Sequence, residues 1–246
     1  MATKPRYLLI DSRDRSASLN SSTDFIVYFQ PNIVGAKSVS LQEATIPNTQ
    51  YSINSSNNLI YFTDGSGSWV GTITPGSYNT ITILTAIATA MNAVSSGYSA
   101  TYNSSTFFIT ISNSGDFELT FGTNTTDSAA YPLGFANANT TSATSQTSVN
   151  AVDFIGPLYF GIRIDQIPIN TRSSNEYDFY TFIVSNQALS DSSINYWSCN
   201  NDFDQTIDIS GMIYISQFHV QLLTHDNTLV NLNGSDWNFM LRLDYE

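Results

Sequence analysis

Trp237-Asn238-Phe239-Met240-Leu241-Arg242-Leu243-Asp244, near the end of the chain, sets large apolar residues at every second position. Successive side chains of a β-strand point to opposite faces, so Trp237, Phe239, Leu241 and Leu243 share one face and Asn238, Met240, Arg242 and Asp244 the other. Phe218-His219-Val220-Gln221-Leu222 repeats the period of two. A strand with one apolar face must bury it against another layer, which points to antiparallel sheets packed as a sandwich.

The same reading extends over most of the chain. Residues 25–29 form a strand that Pro31 stops; residues 38–46 form another, in which Val39 and Leu41 give way to Ala44 and Ile46 before Pro47. Residues 59–62 and 69–73 make a hairpin across Asp64-Gly65-Ser66-Gly67, whose glycines suit a tight turn. Between residues 83 and 94 the spacing changes: Ile83, Leu84, Ile87, Met91 and Val94 lie three or four apart, the stripe of an α-helix that ends near Gly97. Residues 98–102, 107–111 and 117–121 read as three short strands of a meander joined by Asn/Ser/Gly turns. Residues 123–147 are a low-complexity Asn/Thr/Ser/Ala tract broken by Tyr131-Pro132-Leu133-Gly134-Phe135, whose aromatic pair would pin it down, and the tract is a candidate boundary. Strands at 157–164, 179–184, 206–209, 214–223, 229–232 and 237–243 complete an all-β antiparallel sandwich with one helix, and a jelly roll leads among such architectures. The expected division is a sandwich built from residues 1–50 and 150–246, with 51–149 as an inserted β-rich subdomain or elaborated loops.

A chain of 246 residues with 41% hydrophobic residues, among them 15 Phe, 14 Tyr and 3 Trp, can bury a sizeable core. Charged residues are only 11%, so the surface must be covered by Ser, Thr and Asn. Neutral short side chains carry little rotamer entropy and dock against neighbours at low cost, which suits an assembly protein. The net charge of −12 argues against a broad grip on nucleic acid. Lys4, Arg6, Arg13 and Arg15, offset by Asp11 and Asp14, give the first fifteen residues +2 and leave −14 for the rest. These residues read as a polar arm that orders on pairing with an acidic neighbour, and it is the one place where contact with DNA is conceivable. A single cysteine, Cys199, excludes an intrachain disulfide and fits a reducing compartment. Neither an apolar leader nor a run of 18 apolar residues is present, so secretion and membrane spanning are not indicated. The sequons at Asn20, Asn54, Asn103, Asn124, Asn139 and Asn233 then read as unglycosylated.

Catalytic chemistry finds little to work with. A hydrolytic triad needs a base beside a nucleophile, and only His219 and His225 are available. His219 falls on the polar face of its strand, no Gly-x-Ser-x-Gly elbow occurs, and Cys199 has no neighbouring histidine in sequence. Phosphate-loop, dinucleotide and zinc spacings are missing, so no catalytic, cofactor or metal residue is assigned. Asp202, Asp204 and Asp208 form the densest acid cluster; it lacks the terminal Glu of an EF-hand and reads as a solvated loop before a calcium site. Trp69, Tyr131 and Trp197 could stack on sugars, which keeps a lectin-like attachment role as the alternative.

Tyr7-Leu8-Leu9-Ile10-Asp11-Ser12-Arg13-Asp14-Arg15, followed by Asp24-Phe25 and by Val39-Ser40-Leu41 through Ile46-Pro47-Asn48, resembles the single jelly-roll penton and minor capsid proteins of virophages, polinton-like viruses and large eukaryotic DNA viruses. Pro75-Gly76-Ser77-Tyr78 ahead of the helix, Leu133-Gly134-Phe135, and Leu232-Asn233-Gly234-Ser235-Asp236-Trp237 before the last strand continue the resemblance along nearly the whole chain. The resemblance implies a non-enzymatic virion protein, assembled inside the host cell, that forms a pentamer at a capsid vertex. It also implies contact with a double jelly-roll major capsid protein, and it brings no catalytic residues.

Overall fold

The computed structural model describes residues 4–16, 21–154, 156, 158–169, 171–172, 179–185, 194–199 and 205–245. The chain divides into two compact units, Met1–Gln50 with Pro157–Glu246, and Tyr51–Gly156.

The first unit is a sandwich of two antiparallel sheets. One sheet has the order β1 (Arg6–Asp11), β16 (Asn238–Asp244), β3 (Ser38–Pro47), β13 (Ile194–Ser198), with β14 (Thr206–Asp208) also on β3. The other runs β12 (Phe182–Ser185), β9 (Tyr159–Ile164), β15 (Tyr214–Leu223), β2 (Asp24–Val34). The chain crosses between the sheets as it passes from β1 to β2 to β3, and again at β13, β15 and β16, which is the winding of a single jelly roll. A short ribbon, β10 (Thr171–Arg172) with β11 (Phe179–Tyr180), lies outside the two sheets. The alternating residues do what their period requires: Phe218, Val220 and Leu222 of β15 and Phe239, Leu241 and Leu243 of β16 are buried in one core with Phe25, Val39, Leu41, Phe160 and Phe182. Each such side chain contributes about 1.5–3 kcal/mol by leaving water. Trp237 stacks on Phe239 at 5.2 Å, meets the edge of Phe25 at 6.1 Å, and donates its indole N–H to the Ser22 carbonyl at 2.7 Å.

The phase change in β3 has a structural cause. Leu241 pairs with Leu41 but Met240 pairs with Glu43, so Gln42 is an extra residue that resets the alternation and lets Val39 and Leu41 share the core with Ala44 and Ile46.

The second unit is one sheet under one helix. Its strands are β4 (Leu59–Asp64), β5 (Gly67–Thr72), β6 (Ser99–Asn103), β7 (Phe108–Leu119) and β8 (Ala143–Thr147), ordered β5-β4-β7-β6 with β8 also on β7. Helix α1 (Thr82–Asn92) buries Ile83, Ile87, Ala90 and Met91 with Ile60, Phe62, Ile109, Ile111 and Leu119. Gly71 lets the helix come close: a Cβ there would stand 3.1 Å from the Ala90 backbone.

Several expectations change. Residues 6–11 are not part of a loose arm: β1 pairs over its full length with β16, and Ile10 is in the core, because Leu8 and Ile10 supply one apolar edge to the sheet. Pro31 does not stop β2, which continues to Val34; β2 is the outermost strand and its register with β15 shifts between Ile215 and Gln217, so the missing N–H costs no ladder bond there. The turn expected at Asn113-Ser114-Gly115-Asp116 is an irregularity within the single strand β7, opposite β8. The tract 123–147 is no boundary. It lies inside the second unit, where Leu133 and Phe135 enter the core and residues 143–147 form β8. Tyr131, expected to help pin it, is 73% exposed. Strand β13 is an addition to the strands that the sequence pattern marks.

Candidate functional site

The motif Asp11-Ser12-Arg13-Asp14-Arg15 closes the end of the sandwich. Asp11 accepts from the Arg13 backbone N–H at 2.9 Å and pairs with the Arg13 guanidinium at 2.5 Å, which holds its carboxyl below the usual range. Ser12 is fully buried; its hydroxyl donates to Asp236 at 2.7 Å and accepts from the Trp237 N–H at 3.0 Å. Arg15 reaches Asp236 at 2.5 Å and the Ser12 carbonyl at 2.6 Å. Two of the four cations assigned to an arm therefore neutralise carboxylates of their own chain, and Arg6 lies over the Tyr245 ring at 5.3 Å. The motif is a clasp between the end of β1 and the start of β16.

His219 bridges strands on the outward face of the other sheet. Its Nδ1 lies 2.6 Å from Asp165 and its Nε2 2.6 Å from Asp24. A neutral imidazole has one N–H and cannot donate to both carboxylates. Partial burial pushes the imidazole pKa down, but the bonds to Asp24 and Asp165 outweigh it and the net shift is upward. With both ring nitrogens engaged, His219 has no free lone pair to act as a base. Cys199 is half-buried at the end of β13, in the opposite sheet, and His225 is exposed in a turn. The structure thus assembles no nucleophile–base pair from these three residues.

Asp64, marked in the sequence only as a turn residue, gathers five hydrogen bonds in the second unit. It accepts from the Ser66 and Gly67 backbone N–H groups, the Trp69 indole at 3.0 Å, the Ser95 hydroxyl at 2.7 Å and the Tyr98 hydroxyl at 3.0 Å. Partial burial raises its pKa, and the bonds from Ser95, Trp69, Ser66 and Tyr98 overcome this to hold it at about 2. The node ties the β4–β5 turn to the segment after α1. Only the residue spacing of a turn could have hinted at it, since Ser95 and Tyr98 lie 31 and 34 positions away.

Of the stacking candidates, the Trp69 indole is turned to its own hairpin and Trp197 packs on the sandwich core. Tyr131 is left outward, with its hydroxyl on Asp153 at 3.2 Å. Asp202 and Asp204 lie outside the described residues. Asp208 accepts from the Ser210 backbone N–H at 2.8 Å, and among the described residues no group of three acids, histidines or cysteines could hold a metal ion. An open groove of about 630 Å³ runs between α1 and β6, lined by Leu84, Ala88, Asn92, Ala93, Tyr98 and Ala100.

The fold can be matched as a whole. A solved structure, the crystal structure of the mavirus penton protein, superposes with a TM-score of 0.52, covering 98% of this chain and 99% of that one at 11% sequence identity. The chain shares the fold of a virophage penton. No protein-family model and no curated protein matches the sequence. At 11% identity the likeness is one of architecture.

Residues 51–156 contain no lysine, arginine or histidine and five carboxylates, Asp64, Asp116, Glu118, Asp127 and Asp153. Six of the eight cations, Lys4, Arg6, Arg13, Arg15, Lys37 and Arg242, belong instead to β1, β16 and the turns beside them. With six of the eight cations gathered at one sheet edge, few remain to line a broad face for a phosphate backbone.

Proposed function

We propose that this protein is a non-enzymatic capsid subunit, a penton that forms a pentamer at the vertices of an icosahedral virion and contacts a double jelly-roll major capsid protein there. The observation that carries this reading is the extent of the likeness to a penton: it runs over 98% and 99% of the two chains, so it takes in the sandwich and the second unit together. In this reading residues 51–156 are an insertion between β3 and β9 of the roll. A sparsely charged surface, 11% Asp, Glu, Lys and Arg, favours close packing between subunits, because few strongly hydrated groups must lose water.

The test is the mass of the purified chain in solution. Mass photometry should find a species near five times 27.1 kDa, about 136 kDa. Negative-stain images of that species should show a five-fold ring. A chain that stays at 27.1 kDa over the micromolar range and is not taken up into particles with a co-expressed major capsid protein would refute the proposal.

A further inference from the structure

A sheet exposes unpaired N–H and C=O groups along its two outermost strands, and folded proteins blunt such edges to avoid unwanted pairing. Two edges of this sandwich are blunted. Strand β2 carries Pro31 and an irregular register with β15. Strand β12 is only four residues long, and the Gln205 amide occupies its outer side, accepting from the Ile183 N–H at 2.7 Å and donating to the Ile183 carbonyl at 2.9 Å.

Strand β1 has none of these devices. It runs six residues in unbroken register with β16, without proline or bulge, and its one charge on the inward side, Arg6, stands at its first residue over the Tyr245 ring. Among the described residues nothing pairs with its outer side. On its outward face Tyr7 is 60% exposed and Leu9 56%. The opposite end of the same sheet presents a matching pair: on β13, Ile194 is 61% exposed and Tyr196 53%. Tyr7 and Leu9 pair with Arg242 and Met240, Tyr196 with Thr45, and Thr45 with Asn238, so all four apolar side chains lie on the one outward face.

We propose that these two ends of the sheet meet between copies of the chain, β1 of one lying alongside β13 of the next, with Tyr7 and Leu9 against Ile194 and Tyr196. Two facts fit a second copy as the occupant. Strand direction reverses at each step from β1 to β16 to β3 to β13, so β1 and β13 are antiparallel. A copy generated by rotation about an axis along the strands therefore offers β13 antiparallel to β1, the orientation in which neighbouring strands pair most readily. The charges are also complementary: Lys4 and Arg6 flank the β1 side, while Glu43 and Asp208 flank the β13 and β14 side. Such a contact joins two different surfaces, and a heterologous contact closes into a ring by cyclic symmetry. The inference rests on the pentamer reading and adds which surfaces form it.

Because Leu9 and Ile194 are exposed, Leu9→Lys and Ile194→Lys leave the core untouched, and thermal melts should confirm that both variants fold. Each variant alone has one spoiled and one intact surface and should remain at 27.1 kDa where the parent chain forms rings. Mixed in equal amounts, the intact β1 side of Ile194→Lys meets the intact β13 side of Leu9→Lys, and a dimer of twice 27.1 kDa, about 54 kDa, should appear without larger rings. Tyr7→Lys with Tyr196→Lys is the second pair, should a first-pair variant misfold. If the parent forms rings and both variants do too, or if mixing yields no dimer, the contact is wrong while the pentamer stands. A parent chain that never assembles removes both.

Discussion

Asp64→Ala is the sharpest test of what holds the second unit. The substitution removes the acceptor of five hydrogen bonds, from Ser66, Gly67, Trp69, Ser95 and Tyr98. The two turn N–H groups can turn to water, but Tyr98 is buried, so its hydroxyl is left with only the neighbouring Ser95 and Asn113 side chains. Bonds to a charged acceptor contribute about 1.5–3 kcal/mol each and are far from additive, which puts the loss at about 2–4 kcal/mol. The pH dependence gives an independent figure. A carboxyl held at about 2 against an ordinary 3.8 corresponds to about 2.4 kcal/mol, which solvent access reduces to about 1–2 kcal/mol. Its folded pKa is depressed, so this stabilisation is fully present above pH 3.8 and is lost as the pH falls toward 2. Hydrogen exchange followed by mass spectrometry on peptides covering β4, β5 and β6, at pH 7 and at pH 2.5, reads the unit directly. Protection should fall sharply in the variant at pH 7, and the gap from the parent chain should narrow at pH 2.5. A loss below about 0.5 kcal/mol at pH 7, or a gap that does not narrow in acid, would refute the reasoning.

His219 has the opposite sign. Its folded pKa is raised, so the bridge to Asp24 and Asp165 contributes fully below pH 6.5 and is lost as the pH rises through the folded value. The stability difference between the parent and His219→Gln, from urea midpoints between pH 5.5 and 9, should shrink with rising pH; a flat or growing difference counts against the bridge. Gly161→Ala should destabilise the sandwich by about 1–3 kcal/mol or more, because its Cβ would stand 1.9 Å from the fully buried Tyr180 ring. An unchanged urea midpoint would mean that Tyr180 can move away, contrary to its burial and its hydroxyl bond to the Thr224 carbonyl.

What was legible in the sequence was whatever repeats locally. The period of two in residues 218–222 and 237–243 places each strand's core face, and the three-and-four spacing of Ile83, Ile87 and Met91 marks the helix, because both patterns depend only on backbone geometry. The poverty of histidine and cysteine likewise bears on chemistry through composition alone. Punctuation was less reliable: Pro31 and Asn113-Ser114-Gly115-Asp116 suit a turn and a strand irregularity equally, and only the register of β15 and β8 distinguishes them. Partnerships across long separations were not legible at all. Residues 7–10 look like an arm until β16 is beside them, His219 looks solvated until Asp24, 195 positions away, meets its ring, and Gln205 has no visible purpose until β12 lies along it. Composition and periodicity determine that this chain forms sheets with one buried face each. Which strands become edges, and which of those edges stay open, follows from the closing of the sandwich, because an edge exists only once every other strand has found its neighbour.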